Sequence, residues 1–322
     1  LESISAYVQC NRQRRFATWP KSERQRVKPP TGQCTIATHF FGDGTMKSIT
    51  VLALSLLLGA CSVTQLPDNL SRAMLNQDDP EVVADGAPAY LLMLDALILT
   101  YPENERFLLA GAQLYGAYAG VFAQDEVQAQ SMADKALEYA RRALCEYDSD
   151  ACDLVDGPAD ELKKGLALNY DEDDVDIFYA YGAAWAGWIQ ANNSDWNAIA
   201  QVSKVKNLME WVESYDEGYD NATVQVYLGV LTTQLPPSVG GKPEIGKAHF
   251  EKAIALSDGK HLMAKVLYAK QYARLMFEQE LHDDLLQQVI DADPYAEGLT
   301  LINRLAQRQA DRLLAESADY FE

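Results

Sequence analysis

From about residue 74 to the last residue, apolar side chains recur at three- and four-residue spacing with polar ones between them. No period-two alternation of strand-like composition occurs in that stretch, so the pattern predicts helices from end to end. The segment APAYLLMLDALILTYPENERFLLAGAQLYGAYAGVF is broken at Pro102, with Glu103 or Asn104 placed to open the following helix. Two helices follow from it, because proline ends the first and a short polar side chain caps the second. Next comes DEVQAQSMADKALEYARRALC, alanine-rich, with Met132, Ala136, Tyr139, Ala140 and Ala143 along one side. The acidic run 171–176 (DEDDVD) precedes another apolar helix and reads as its start, where negative charge meets the positive end of the helix dipole.

Paired helices repeat along the chain. Leu228-Gly229 in VQVYLGVL is followed by Gly246, Phe250 and Ala253 in EIGKAHFEKAIAL, the order of residue types found in a tetratricopeptide repeat. Physically, the small residue lets two helices approach, the aromatic ring fills the gap beside it, and the alanine tolerates the next pair. The spacing departs from the repeat through an insertion, LPPSVGGKPE, at 235–244. Two further pairs are IFYAYGAAWAGWIQ with KVKNLMEWVESYDEGYD, and AKVLYAKQYARLMF with HDDLLQQVIDADP. The predicted fold is therefore all-α, a TPR-like array of antiparallel helix pairs, or α-solenoid, over 75–322.

The N-terminal part has a different pattern. MKSITVLALSLLLGACSV at 46–63 holds one lysine, ten largely apolar residues and small residues before Cys61. That is the outline of a secretory signal peptide, and the run is shorter than the roughly 20 residues a membrane-spanning helix needs. L-G-A-C resembles the bacterial lipobox, which makes Cys61 a lipid-attachment site and, with Ser62 after it, points to the outer membrane. An ordinary secreted signal with a chance cysteine is the alternative. Each buried acyl methylene contributes about 0.8 kcal/mol, so several chains anchor a soluble body firmly. Residues 1–45 are read as an upstream extension foreign to the natural protein, the alternative being a genuine leader; 46–60 as the signal peptide and 61–74 as a tether.

Charge narrows the function. The chain carries 27 basic and 47 acidic side chains, and from Cys61 onward the counts are 19 and 44. Such a surface disfavours nucleic acid and anionic lipid heads. Cys145 and Cys152 lie seven apart, which leaves two readings in an oxidising compartment, a local disulfide or two unpaired thiols. His39, His249, His261 and His282 are scattered, so no metal site is expected, and no cofactor. No G-x-S-x-G, Gly-rich phosphate loop or H-E-x-x-H occurs, which argues against an enzyme and for binding.

The candidate binding segment is AWAGWIQANNSDWNAIA at 184–200. Trp185, Trp188 and Trp196 are interleaved there with Gln190, Asn192 and Asn197, flat apolar faces beside neutral hydrogen-bonding groups. Ordinary helix packing explains tryptophans three apart equally well, with the asparagines as turn and cap residues. Tyr227, in the first helix of the repeat, and Lys242, in the insertion, are further candidates. The insertion either faces one side of the array as a contact loop or is merely structural.

The order lipobox, LLMLDALI, AQLYGAYAG, ALEYARRALC, the tryptophan segment, YLGVL, LPPSVGGKPE, AHFEKAI, HLMAKVLYA and ELHDDLL resembles the TatT family, the tetratricopeptide component associated with TRAP-type transporters. The resemblance runs from about Cys61 to Phe321. It implies an all-α periplasmic lipoprotein, a homotrimer, that docks the transporter's substrate-binding protein and offers a route for a hydrophobic or organic-acid ligand, without catalysis. A competing expectation is a structural scaffold of outer-membrane assembly or cell-wall machinery built on similar repeats.

Overall fold

Short polar breaks, several carrying a capping side chain, divide the apolar periodicity into separate helices. The computed structural model describes residues 66–322 apart from 235, 236 and 240; Cys61, the signal segment and the 1–45 extension lie outside the described residues. Helix α1 (Leu66–Leu75) already occupies most of the expected tether. Helix α2 (Pro80–Thr100) starts at Asp79, whose carboxylate accepts the Glu81 amide at 3.0 Å, with Pro80 at the first helical position. Asn104 opens α3 (Glu105–Val121) by accepting the Phe107 amide at 3.2 Å, and Asp125 opens α4 (Glu126–Tyr147) through the Gln128 amide at 2.8 Å. Each cap satisfies a donor that the first turn leaves free.

Two short helices, α5 (Ser149–Asp156) and α6 (Ala159–Asn169), lead to the acidic run. There Asp171 and Asp174 form a reciprocal capping box around a 3-10 turn, and α7 (Val175–Ala191) follows. Then come α8 (Trp196–Ile199), α9 (Val202–Glu213), α10 (Tyr219–Thr232) and α11 (Pro243–Leu256). Helix α12 (Leu262–Leu267) passes through a π-helical turn, Tyr268–Ala273, into α13 (Arg274–Met276), and α14 (Gln279–Asp291), α15 (Thr300–Ala315) and α16 (Ser317–Phe321) complete the chain. No strand occurs among the described residues, and the fold is an all-α array of paired helices.

Neighbouring helices pack in sequence: α3 on α4, α4 on α7, α7 on α9, α9 on α10, α10 on α11, and α14 on α15. The repeat residues behave as their types require. A Cβ on Gly229 would sit 2.7 Å from the Phe250 ring, and one on Gly246 would sit 2.8 Å from the Gly229 carbonyl oxygen. Backbones of α10 and α11 therefore meet at glycine, with the fully buried Phe250 ring filling the space beside them. One apolar cluster runs from Ala87 to Leu228 and a second from Ala222 to Leu313. Cys145 and Cys152 are joined in a disulfide, Cα atoms 5.2 Å apart, across the corner between α4 and α5.

The two ends of the array meet, which the repeat pattern does not foretell. Helix α15 packs on α1 and α2. Arg304 Nε donates to Asp78 Oδ1 at 2.6 Å, Arg308 Nη1 to Glu81 Oε1 at 2.6 Å, and Arg72 Nη2 to Glu297 Oε1 at 2.9 Å. The Gly298 amide donates to Asn76 Oδ1 at 2.8 Å.

Candidate functional site

The tryptophan segment divides between core and surface. Trp185 is only 5 % exposed, packed against Tyr181 at 5.2 Å between ring centres, with the Lys204 ammonium 5.6 Å from its ring. Its place is the core, so it is not available to a partner or ligand. Trp188 is half-buried and donates through Nε1 to Asp134 Oδ1 at 2.7 Å. Asn192 closes α7, its Nδ2 donating to the Trp188 carbonyl at 3.0 Å. Asp195 caps α8, accepting from the Asn197 amide at 2.8 Å and from its side chain at 3.1 Å. Gln190 and Asn197 are exposed, and Trp196 presents 84 % of its surface to solvent. Lys242 is exposed just ahead of α11, in a loop of which only part is described.

Around Tyr227 the structure assembles a group that local sequence gives no means of finding. The Tyr179 ring, on α7, lies 4.7 Å from Tyr219 at 65° and 6.1 Å from Tyr227 at 78°. Tyr179 donates its hydroxyl to Asp220 Oδ2 at 2.6 Å, and Tyr219 donates to Asp176. Each helix thus lends the other a tyrosine and a carboxylate. Burial, with Tyr227 and Asp220 adding to it, raises the Tyr179 phenol well above its usual range; burial and then Asp220 push Tyr227 up to about 12. All three residues are half-buried. Asp220, Asn221 and Ala222 take φ of 53°, 54° and 63°, so the chain turns left-handed just before the regular part of α10. Thr223 follows, its Oγ1 3.2 Å from His261 Nε2. His261 is 4 % exposed, its pKa is lowered by burial, and its Nδ1 has no hydrogen-bond partner among the described residues.

Two other polar groups are saturated by their own neighbours. Asp95 of α2 accepts from the Tyr115 and Tyr139 hydroxyls at 2.8 Å each and from Lys135 Nζ at 2.5 Å, tying α2, α3 and α4 together. Burial alone would raise its pKa, but the Lys135, Tyr139 and Tyr115 hydrogen bonds outweigh that and hold the carboxyl below its ordinary value. Fully buried Gln225 bonds His249 Nδ1 at 2.8 Å and Glu213 at 3.0 Å, beside the Lys252 ion pairs to Glu213 and Glu217. Both tie helices together and leave little for a ligand. Among the described residues no group of His, Cys, Asp and Glu is arranged to hold a metal ion.

Paired helices stacked into an array define a helical-repeat protein, here with an indole left in solvent and a cluster of tyrosines between two of its helices. Residues 76–321 match the family model of the TRAP transporter T-component, TAtT, and the chain belongs to that family. It is thereby a component of a TRAP-type transport system, in a family associated with transport and not with catalysis. No curated protein matches the chain.

Proposed function

We propose that the chain is a periplasmic lipoprotein, held at the outer membrane by acylated Cys61, that docks the substrate-binding protein of its TRAP-type transporter and binds or channels that protein's ligand. The observation that supports docking is Trp196. A large indole at 84 % exposure, on a short helix fixed by the Asp195 cap, is the kind of side chain that dominates interfaces once water is excluded from it. Trp196→Ala is expected to weaken binding of the cognate substrate-binding protein by at least about 2 kcal/mol, roughly thirtyfold, in a calorimetric titration. Unchanged affinity removes this face from the docking surface. The tyrosine group around Tyr227 supports the ligand role, since partly accessible aromatic walls beside carboxylates are binding chemistry. For anchoring, Cys61→Ala is expected to shift the protein from the membrane to the soluble fraction; retention in a salt-washed membrane pellet overturns the lipid anchor.

A further inference from the structure

We infer that the outer face of α2 is a self-association surface, paired antiparallel with the same helix of a second copy of this chain. The two sides of α2 differ in what covers them, not in polarity. Val83, Ala87, Leu91, Leu94 and Ile98 are buried against the rest of the fold. On the opposite side, at the same three- and four-residue steps, Val82, Leu92, Met93 and Leu99 are exposed, with the exposed Ala89 and Ala96 between them. Leu92 and Leu99 are exposed by 70 % and 84 %, so they stand clear of the surface and do not line a hollow. A helix that is apolar all round is normally covered all round. Between Gly86 and Thr100 the only charged side chain is Asp95, and it turns inward to Tyr115, Tyr139 and Lys135. Gly86 adds a separate sign. A Cβ there would meet nothing within 4 Å, so its own fold gives no packing reason for a residue that weakens a helix interior relative to alanine.

The order of side chains fits a second copy. When two such helices run antiparallel about a two-fold axis level with Leu92 and Met93, Ala89 of one copy meets Ala96 of the other on each side of the axis. Leu92 meets Leu92 and Met93 meets Met93 close to it. Small side chains then face small ones along the centre, which lets the backbones approach, and larger ones interlock at the flanks. At 1.5 Å per residue, Asp85 lies about 22 Å along the helix from its symmetry mate, whereas a parallel pair sets the two carboxylates side by side. The stripe from Val82 to Leu99 is about 26 Å long, and two such faces bury on the order of 1,000 Å², the lower end for a specific interface. An isologous contact of this kind closes on itself without forming fibres.

A membrane surface fits this face less well. Helices that lie in a bilayer interface carry lysine and arginine beside the apolar stripe, but α2 is flanked by Glu81, Asp85, Glu103 and Glu105. Length and hydropathy alone would let α2 cross a bilayer, yet its buried side packs on α3 and Asp95 ties it to α3 and α4.

The test is disulfide trapping on the full chain, in which Cys145 and Cys152 are already joined; the chain without an added cysteine is the control. A disulfide needs Cα atoms about 4.4–6.8 Å apart. Leu92→Cys alone is expected to give a covalent dimer on mild oxidation. Ala89→Cys and Ala96→Cys are each expected to stay uncrosslinked alone, being about 10 Å along the helix from their own mates, and to form a dimer when the two variants are mixed. Light scattering of the Cys61→Ala chain at high micromolar concentration gives the second reading. Adding Leu92→Glu is expected to halve the mass and weaken association at least about tenfold, with the melting temperature unchanged because that side chain is already in solvent. A mass that Leu92→Glu leaves unchanged overturns the proposal, and so does a dimer from Ala89→Cys alone, which marks a parallel pair. Binding of the Cys61→Ala chain to phosphatidylethanolamine–phosphatidylglycerol vesicles that Leu92→Glu abolishes at unchanged mass overturns it in favour of the bilayer. The α2 face shares no residue with the Trp196 surface, so the docking measurement stands or falls separately.

Discussion

Trp185 and Trp196 carry the same side chain within one segment, yet the helix bearing Trp185 is packed on two sides and the helix bearing Trp196 is a single turn at the surface. Truncating the first leaves a large void among Tyr181 and the Lys204 stem, and such cavities in cores cost about 3–5 kcal/mol. Truncating the second removes atoms that water already surrounds, a change of about 0.5 kcal/mol or less. Urea unfolding of Trp185→Ala is therefore expected to show a sharply lowered midpoint, and Trp196→Ala a midpoint near that of the wild type. Equal losses in both would mean that Trp196 is a packing residue, and the docking face would lose its support. The asparagines of the same segment are accounted for locally. Asn192 ends one helix and Asn197 braces the Asp195 cap of the next.

Elements set by short-range chemistry were legible in the sequence; those set by meetings between distant helices were not. Asn104 and Asp171 sit ahead of apolar periods; Asn104 caps α3 directly, and Asp171 caps the 3-10 turn that leads into α7. Gly229, Gly246 and Phe250 announce a close helix pair because only glycine permits the approach, and the structure puts those backbones against each other. The π-helical turn Tyr268–Ala273 has no such signature, since an extra residue in a turn leaves apolar spacing almost unchanged. Its effect is visible only in three dimensions. Tyr268 lies nearly parallel to Phe250 at 16°, and the Tyr268 and Tyr272 hydroxyls reach Glu251 at 3.1 Å and Glu244 at 2.7 Å on α11. The tyrosine group around Tyr227 is hidden for the same reason. Tyr227 stood out beside Leu228-Gly229, but Tyr179 and Asp220 lie 41 positions apart and gain meaning only as a reciprocal pair with Tyr219 and Asp176. Helix α1 carries no such local sign either, because its packing partner, α15, lies at the other end of the chain.

At the scale of the molecule, the closed ends are held by charge more than by apolar contact. Arg304, Arg308 and Arg312 recur every fourth residue of α15, a basic stripe in a chain of formal charge −20, and the first two meet Asp78 and Glu81 at the start of α2. The side chains involved are all partly or largely exposed, and pairs of that kind contribute about 0–1 kcal/mol each. At about 1 M salt the screening length shrinks to roughly 3 Å, so most of that attraction disappears. Apolar support is thin. Residues 69–76 of α1 and its end are mainly exposed, with Leu70 and Met74 half-buried, whereas α2 keeps its own packing on α3 and its Asp95 tie to α4. High salt, or Arg304→Ala combined with Arg308→Ala, is therefore expected to speed amide hydrogen exchange in α1 while α3, α4 and α7 stay protected, because local opening follows the weakest contacts. Exchange in α1 that is indifferent to both treatments would show that apolar contact with α15, and not the ion pairs, holds the ends together. Since α1 begins five residues after Cys61, a clasp of this strength would also be the part of the array that responds first to tension applied through the lipid anchor proposed there.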